Sequence, residues 1–347
     1  MGQFLEKAYD ELSQIKENCE KEREKYCGYP HLVTVLLVTY NHIDSFDKAI
    51  QSVLCQKTNF SFQIIVLDDA STDGTSELIK KYEHIPNIKI ITREKNTNGK
   101  NTYLGLKEVN TKYYAILETD DYWSDENKLQ IQVDILENNP DCSFCAHNTL
   151  VNYISENRTK SFIDCKTKKF SFPPKRITKK YYIEPHTSSR LYRSECLNLD
   201  EIKNPIIATY DIASNFYFLT KGNLYYIDKV MSVYNYTSKG IYSGASSYSQ
   251  RFKSANVINQ LNEEFNFKYN YLLARFFSTI LNLNFFTYLQ LKSTKKESSI
   301  RNMYQKLLDS FEKTHLNNWR AKPIIKINFP IGKTKRIVFE LRSEKER

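Results

Sequence analysis

The sequence predicts an α/β fold in which a mostly parallel central sheet carries helices on both faces, followed by a mostly helical C-terminal extension. Three observations predict it. Short, almost continuous apolar runs alternate with helical stretches over residues 31–120, the pattern of strands buried on both faces. Polar and acidic residues gather where those runs end. After about residue 246 the alternation stops and apolar helical stretches take over.

Taken in order, residues 1–30 read as a charged, amphipathic N-terminal helical extension without the apolar stretch of a secretory leader. The first buried strand is Val33–Val38 and the helix after it Ser45–Gln56. A second strand, Gln63–Leu67, leads through a turn-rich loop, 68–74, into a helix at Thr75–Tyr82. Ile88–Ile91 is the third strand; the loop 96–99 precedes a helix to about Val109, and Tyr113–Leu117 is the fourth strand. Tyr271–Leu291 is apolar nearly all round but holds Arg275, Asn282, Asn284 and Gln290, which argues against a spanning helix. Asn302–Lys313 is amphipathic, and Pro323–Phe339 reads as one or two short strands.

Composition narrows the classes. The chain has 347 residues, 41% apolar and 26% charged, a globular balance, and only nine Gly and nine Pro, which excludes collagen-like and linker-dominated chains. Seven cysteines, odd in number and irregularly spaced, fit reduced cytosolic thiols better than a disulfide framework. Cys142 and Cys145 form a C-x-x-C followed by His147, but a strand there turns the two thiols to opposite faces, and no second ligand pair supports zinc. The net charge of +10 is concentrated: residues 156–180 hold nine Lys/Arg against two acids, and residues 321–347 hold eight against three. Such patches suit phosphate-rich partners, and a merely solvated surface is the alternative.

In parallel α/β sheets, ligands bind beyond the C-terminal ends of the strands. The residues there are Thr39, Tyr40 and Asn41 after the first strand, Asp68 and Asp69 after the second, and Glu118, Asp120 and Asp121 after the fourth. Any one acidic pair reads equally well as a cap or turn. Two pairs and an aromatic at successive strand ends are harder to explain structurally. No Gly-rich phosphate loop accompanies them. A diphosphate beside Asp120 and Asp121 would therefore need a divalent cation to relieve repulsion.

Three segments in order, Val38–Asn41, Ile65–Thr75 and Glu118–Trp123, resemble the nucleotide-sugar domain of family 2 glycosyltransferases, which have the GT-A fold. The resemblance is strong over residues 31–150 and looser to about 245. It implies a catalytic domain over 31–245, with 31–125 binding the nucleotide sugar and 126–245 on the acceptor side. By the same resemblance, Thr39, Tyr40 and Asn41 cradle the nucleobase, Asp68 bonds the base (typically uracil) and Asp69 partners it. The loop with Asn98, Gly99 and Lys100 lies near ribose and sugar, Asp120 faces the ribose and donor sugar, and Asp121 is the ligand of Mn2+ or Mg2+. For Glu118, a contribution to the site and a packing role both stay open. Asp211, in Thr209-Tyr210-Asp211, matches the general base of an inverting transfer; a helix N-cap is its structural alternative. One departure is Thr237, which stands where relatives often have a His near the metal; Lys239 or the basic segment 156–180 could bind phosphate instead.

The implied reaction moves a sugar from a UDP-sugar donor to a hydroxyl of a glycan or lipid-linked acceptor in polysaccharide biosynthesis. The rivals are a sugar-phosphate nucleotidyltransferase, disfavoured because Thr39-Tyr40-Asn41 replaces the Gly-rich basic loop such enzymes carry, and a non-catalytic nucleotide- or glycan-binding protein. Nucleic acid is not expected as a partner: no binding motif is present and the acidic rim repels a polyanion. The extension at 246–347 packs on the catalytic domain or on a second copy in a homodimer, or its basic end contacts the inner face of the cell membrane, and the location expected is cytoplasmic.

Overall fold

The computed structural model describes residues 30–171, 182–237, 247–266, 268–269, 273, 324–326 and 338–340. The N-terminal helix expected at 1–28, the stretch 271–291 apart from Leu273, the stretch 302–313, Lys239 and part of the basic segment 156–180 lie outside the described residues. The chain divides into two compact units, with the division between 240 and 241.

The first unit is built on a ten-stranded sheet. Its strands are β1 (Val33–Thr39), β2 (Phe62–Asp68), β3 (Ile88–Thr92), β4 (Tyr113–Glu118), β5 (Tyr122–Trp123), β6 (Cys142–Tyr153), β7 (Arg158–Ser161), β8 (Lys169–Phe170), β9 (Arg190–Arg193) and β10 (Asn223–Tyr236). The order is β3-β2-β1-β4-β9-β6-β10-β5, with β7 beside β6 and β8 beside β10. Strands β3, β2, β1 and β4 are parallel neighbours, β9 runs antiparallel between β4 and β6, and β6 pairs parallel with β10. Six long strands thus point one way, and their C-terminal ends share one edge.

The apolar runs follow from this position. All but one residue of β1 and of β2 are buried, because both faces are covered, whereas edge strand β3 has no fully buried residue. Helix α1 (Phe46–Leu54) buries Phe46, Ala49, Ile50, Val53 and Leu54, the 3.6-residue period of one face. The short helices α2 (Thr75–Ile79) and α3 (Asn101–Leu106) return the chain to the sheet, and α4 (Lys128–Glu137) feeds β6. Further along, α5 (Ile206–Thr209) breaks at Tyr210, whose backbone is extended, and α6 (Asp211–Lys221) starts afresh. Residues 213–219 of α6 are all buried.

Cys142 and Cys145 are free and buried, and burial pushes their thiols up to about 11 and about 12. In the second unit, α7 (Ser247–Glu264) is helical, and β11 (Ile324–Lys326) pairs antiparallel with β12 (Val338–Glu340), matching the short strands expected near the C-terminus. No helix among the described residues is long and apolar enough to cross a membrane.

The junction of α6 and β10 has no room for a side chain. A Cβ at Gly222 would lie 2.8 Å from Ser143 N and 3.0 Å from Asp141 O, both backbone atoms that cannot swing aside. Gly222→Ala is expected to destabilise by about 1–3 kcal/mol, read as a lower urea midpoint at unchanged slope.

Candidate active site

Side chains at three strand ends lace the site's frame together. Thr119, just beyond β4, donates from its hydroxyl to Thr39 Oγ1 (2.7 Å) at the end of β1 and lies 2.9 Å from His42 Nδ1. Because that hydroxyl's one proton goes to Thr39, His42 must be the donor to Thr119. The Asp69 amide donates to Thr39 O (3.0 Å) and the Thr119 amide to Val38 O (3.0 Å). Asn41, in the left-handed region at φ 55, donates its amide to Ser71 Oγ and accepts the Thr72 amide on Oδ1. An Asn tolerates that conformation far better than a branched residue. Ends separated by about 30 and 80 residues therefore form one hydrogen-bonded rim.

The carboxylates after β2 divide their work. Asp68 has no exposed surface; Oδ1 accepts from the Ser71 amide and hydroxyl, and Oδ2 from Ser76 Oγ. Three donors, two from Ser71 of its own turn and one from Ser76 of α2, hold this carboxylate in place. Asp69 keeps slight exposure and accepts the Thr97 amide (2.9 Å), which ties the 96–100 loop to the rim. In that loop, Asn98 (φ 53) and Gly99 (φ 84) both take left-handed backbone, and Lys100 is the exposed N-cap of α3. Tyr40 stands 40% exposed, an unfilled aromatic surface beside the rim.

Beyond β4 the chain turns sharply, with the Asp121 amide on Glu118 O. Asp121 is buried; its Oδ1 accepts the Asn235 amide (2.9 Å) from β10, and Asn235 Nδ2 donates to Asp120 O (2.7 Å). Glu118 retains accessible surface although protein encloses it, as on the floor of a cleft. That enclosure, with Asp120 and Asp211 nearby, pushes its carboxyl up to about 8. Burial, then Asp120, Glu118 and Asp211, push Asp121 well above the usual carboxylate range against the pull of the Asn235 amide. Four carboxylates from β4, its following turn and α6 thus share one field.

Asp211 is the first residue of α6, and Tyr210 is the cap. Its Oδ1 accepts the hydroxyl of Thr187, so the helix-cap alternative does not describe this side chain. Thr187 belongs to the turn Thr187–Ser189 that leads into β9, and His186 caps that turn. His186 Nε2 faces Asp121 Oδ2 across 3.8 Å, and burial holds the imidazole down to about 4. An imidazole thus reaches Asp121 from a segment other than the one holding Thr237. Arg190 is buried just behind: it donates to Pro185 O, Tyr192 Oη, Asp211 O and Ser214 Oγ, pinning the turn to the start of α6. From below, Trp123 Nε1 holds Ser188 O (2.9 Å) and Gln132 Nε2 holds Ser189 O (2.8 Å). The buried Lys128 ammonium lies 3.9 Å from the Trp123 ring and donates to Gln132 Oε1.

Among the described residues, no three His, Cys, Asp or Glu side chains surround one point. There is instead a pair: Asp121, and Asp120, whose Oδ1 is buried without a hydrogen-bond partner. A hard divalent cation commonly takes one or two carboxylates and fills its shell with substrate phosphates and water. The pair fits an ion held jointly with a diphosphate.

A mostly parallel sheet with an acidic, aromatic rim of this order is GT-A-like. Residues 34–199 match the Glycosyl transferase family 2 domain, so this segment is a family 2 glycosyltransferase domain. It is 36% identical over 107 residues to an uncharacterized glycosyltransferase of Rickettsia bellii, covering 31% of this chain and 15% of the relative. Identity is 29% over 96 residues to the poly(ribitol-phosphate) beta-N-acetylglucosaminyltransferase TarS of Staphylococcus aureus, covering 27% and 17%. An uncharacterized protein of Mycobacterium bovis is 32% identical over 124 residues, covering 35% of this chain and 36% of its own. The matches therefore span about a third or less of these relatives. Among solved structures, TarS residues 1–349 with UDP-GlcNAc superpose at TM-score 0.52 and 16% identity, covering 88% of this chain and 99% of that one. The mannosyltransferase PcManGT of Pyrobaculum calidifontis, with GDP-Man and Mn2+, gives 0.51 and 12%, covering 91% and 100%. At these identities the likeness shows the fold.

Two outcomes are expected from this geometry. Thr119→Val keeps the shape but strands Thr39 and His42, and should cost about 1–3 kcal/mol in equilibrium unfolding. Burial holds the Lys128 ammonium down to about 7 from 10.5, so the unfolded chain binds more protons than the folded one between those values, and stability rises with pH there. From pH 7 to 9 the wild type should gain up to about 2 kcal/mol relative to Lys128→Met, measured by urea unfolding at each pH.

Proposed function

We propose that the chain is an inverting glycosyltransferase that moves a hexosyl unit from a nucleotide-sugar donor, a UDP-sugar, to a hydroxyl of a glycan or lipid-linked acceptor. One observation carries the reading: Asp211, held by Thr187, stands in the same carboxylate field as Glu118, Asp120 and Asp121, at the edge where the laced strand ends offer Tyr40, Asp69 and the 96–100 loop. The TarS structure with UDP-GlcNAc and the PcManGT structure with GDP-Man support a nucleotide-sugar donor.

In this reading Tyr40 stacks on the base, while Asp68 and Asn41 shape the loop around it. Asp69 and the 96–100 loop lie along the ribose, and Asp120 faces the ribose and sugar. Mn2+ or Mg2+ held with the diphosphate at Asp121 and Asp120 would offset the charge of the departing nucleoside diphosphate. Asp211 takes the acceptor hydroxyl's proton as that oxygen attacks the anomeric carbon from the face opposite the leaving group, which inverts the centre. Thr187 and Arg190 fix where the base stands. His186 closes the wall beside Asp121 as a neutral ring and adds no charge there.

A panel of nucleotide sugars, with and without Mn2+, tests the reading. Asp211→Asn should lower transfer about 10²–10⁴-fold and leave donor binding within a few-fold of wild type. Asp121→Ala should lose the effect of Mn2+ on donor binding. Near-normal transfer by Asp211→Asn would overturn the assignment of the base.

A further inference from the structure

The strands β7, β6 and β10 present one face whose composition differs from the carboxylate cleft. Residues paired across neighbouring strands point to the same side of a sheet. Arg158 and Lys160 of β7 pair with Tyr153 and Val151 of β6, which pair with Tyr236 and Tyr234 of β10. Phe162 continues the row, its amide on Thr149 O, and Thr149 pairs with Ser232. Their side chains make a continuous ladder. The Phe162 ring meets His186 edge-on at 5.4 Å, and His186 stacks on Tyr234 at 4.5 Å. Tyr234 meets Tyr236 at 6.1 Å, Tyr236 meets Tyr153 at 5.1 Å, and the Arg158 guanidinium lies 3.7 Å over the Tyr153 ring.

Phe162 and His186 form one end of the ladder, and there His186 faces Asp121 at the wall of the cleft. The other end is Arg158; all of β7 is exposed, Lys160 with it, and residues 156–169 hold five Lys/Arg against two acids. Glu156 holds Arg158 Nε, so that guanidinium is fixed in place over the ring. Two strand spacings separate β7 from β10, about 10 Å, the scale of one or two sugar or polyol units.

We propose that this face binds the acceptor, and that the acceptor is an anionic glycan, a polyhydroxy chain bearing phosphate or carboxylate groups. The inference rests on the glycosyltransferase reading. Aromatic faces take the C–H faces of sugars and polyols, while Arg158 and Lys160 take the charged groups by charge-assisted hydrogen bonds. The carboxylate cleft repels those same groups, so the charges stay at the basic rim and a neutral hydroxyl is what enters beside Asp211. Charge complementarity thus chooses both the ligand and its orientation.

Titration of the full-length protein with four probes tests this: a polyol-phosphate oligomer, an oligogalacturonate, a neutral malto-oligosaccharide of equal length, and phosphatidylglycerol vesicles. At least one anionic oligomer should bind, more weakly as salt rises, and the arm that binds distinguishes phosphate from carboxylate. Arg158→Glu with Lys160→Glu should lower that affinity tenfold or more, at unchanged thermal midpoint. Phe162→Ala should weaken the same binding severalfold. Equal binding of the neutral oligomer, binding to vesicles alone, no binding of any probe, or indifference to charge reversal overturns the proposal. Charge-dependent oligomer binding without hydrolysis of any nucleotide sugar would instead sink the transferase reading and leave the anionic-glycan surface standing.

Discussion

A single hydroxyl ties the structure together. Thr119 lies between Thr39 and His42 and holds the ends of β1 and β4 at fixed separation, while the Asp69 amide on Thr39 O brings in β2. Parallel strands have no hairpins to align their ends, so the alignment must come from side chains and loop amides beyond the last ladder bond. The groups of the candidate site stand on these ends or reach them from the 96–100 loop, β10, the Thr187–Ser189 turn and the start of α6. Loosening the lacing would spread the rim while leaving the core of apolar strands intact.

The second constraint is electrostatic. Glu118, Asp120, Asp121 and Asp211 share one field, and the buried Arg190 beside Asp211 spends its donors on Pro185, Tyr192, Asp211 O and Ser214. Like charges in a poorly solvated place raise one another's proton affinity, which is what Glu118 and Asp121 display. A site built this way is poised for cationic company and for neutral hydroxyls. The aromatic face of β7, β6 and β10 meets that field at Tyr234 and His186 and carries Arg158 and Lys160 on its exposed strand β7.

Much of this was legible in the sequence. The apolar runs of β1, β2 and β4 were plain because both faces are covered, and the acidic strand ends followed from the parallel topology. Asp68 was harder. Its Asp-x-x-Ser spacing to Ser71 is that of a carboxylate bonding its own turn, and the structure shows those bonds. The contacts of Asp121 with Asn235 and His186 were not legible, because they join residues 114 and 65 positions apart through the register of β10 and a short turn. The length of β10, 14 residues with register shifts along β6, is likewise set by its partner and not by its own pattern. Asp211 read equally as a cap until the break at Tyr210 placed it inside α6 with its carboxylate on Thr187.

The central claim is that the laced strand ends form one nucleotide pocket. Amide hydrogen exchange with and without a bound UDP-sugar measures it segment by segment. Exchange should slow together in 39–42, 69–75, 96–101 and 119–121, since all four border the same guest. Slowing confined to one of these segments, or found only in parts of the chain remote from them, would contradict the account.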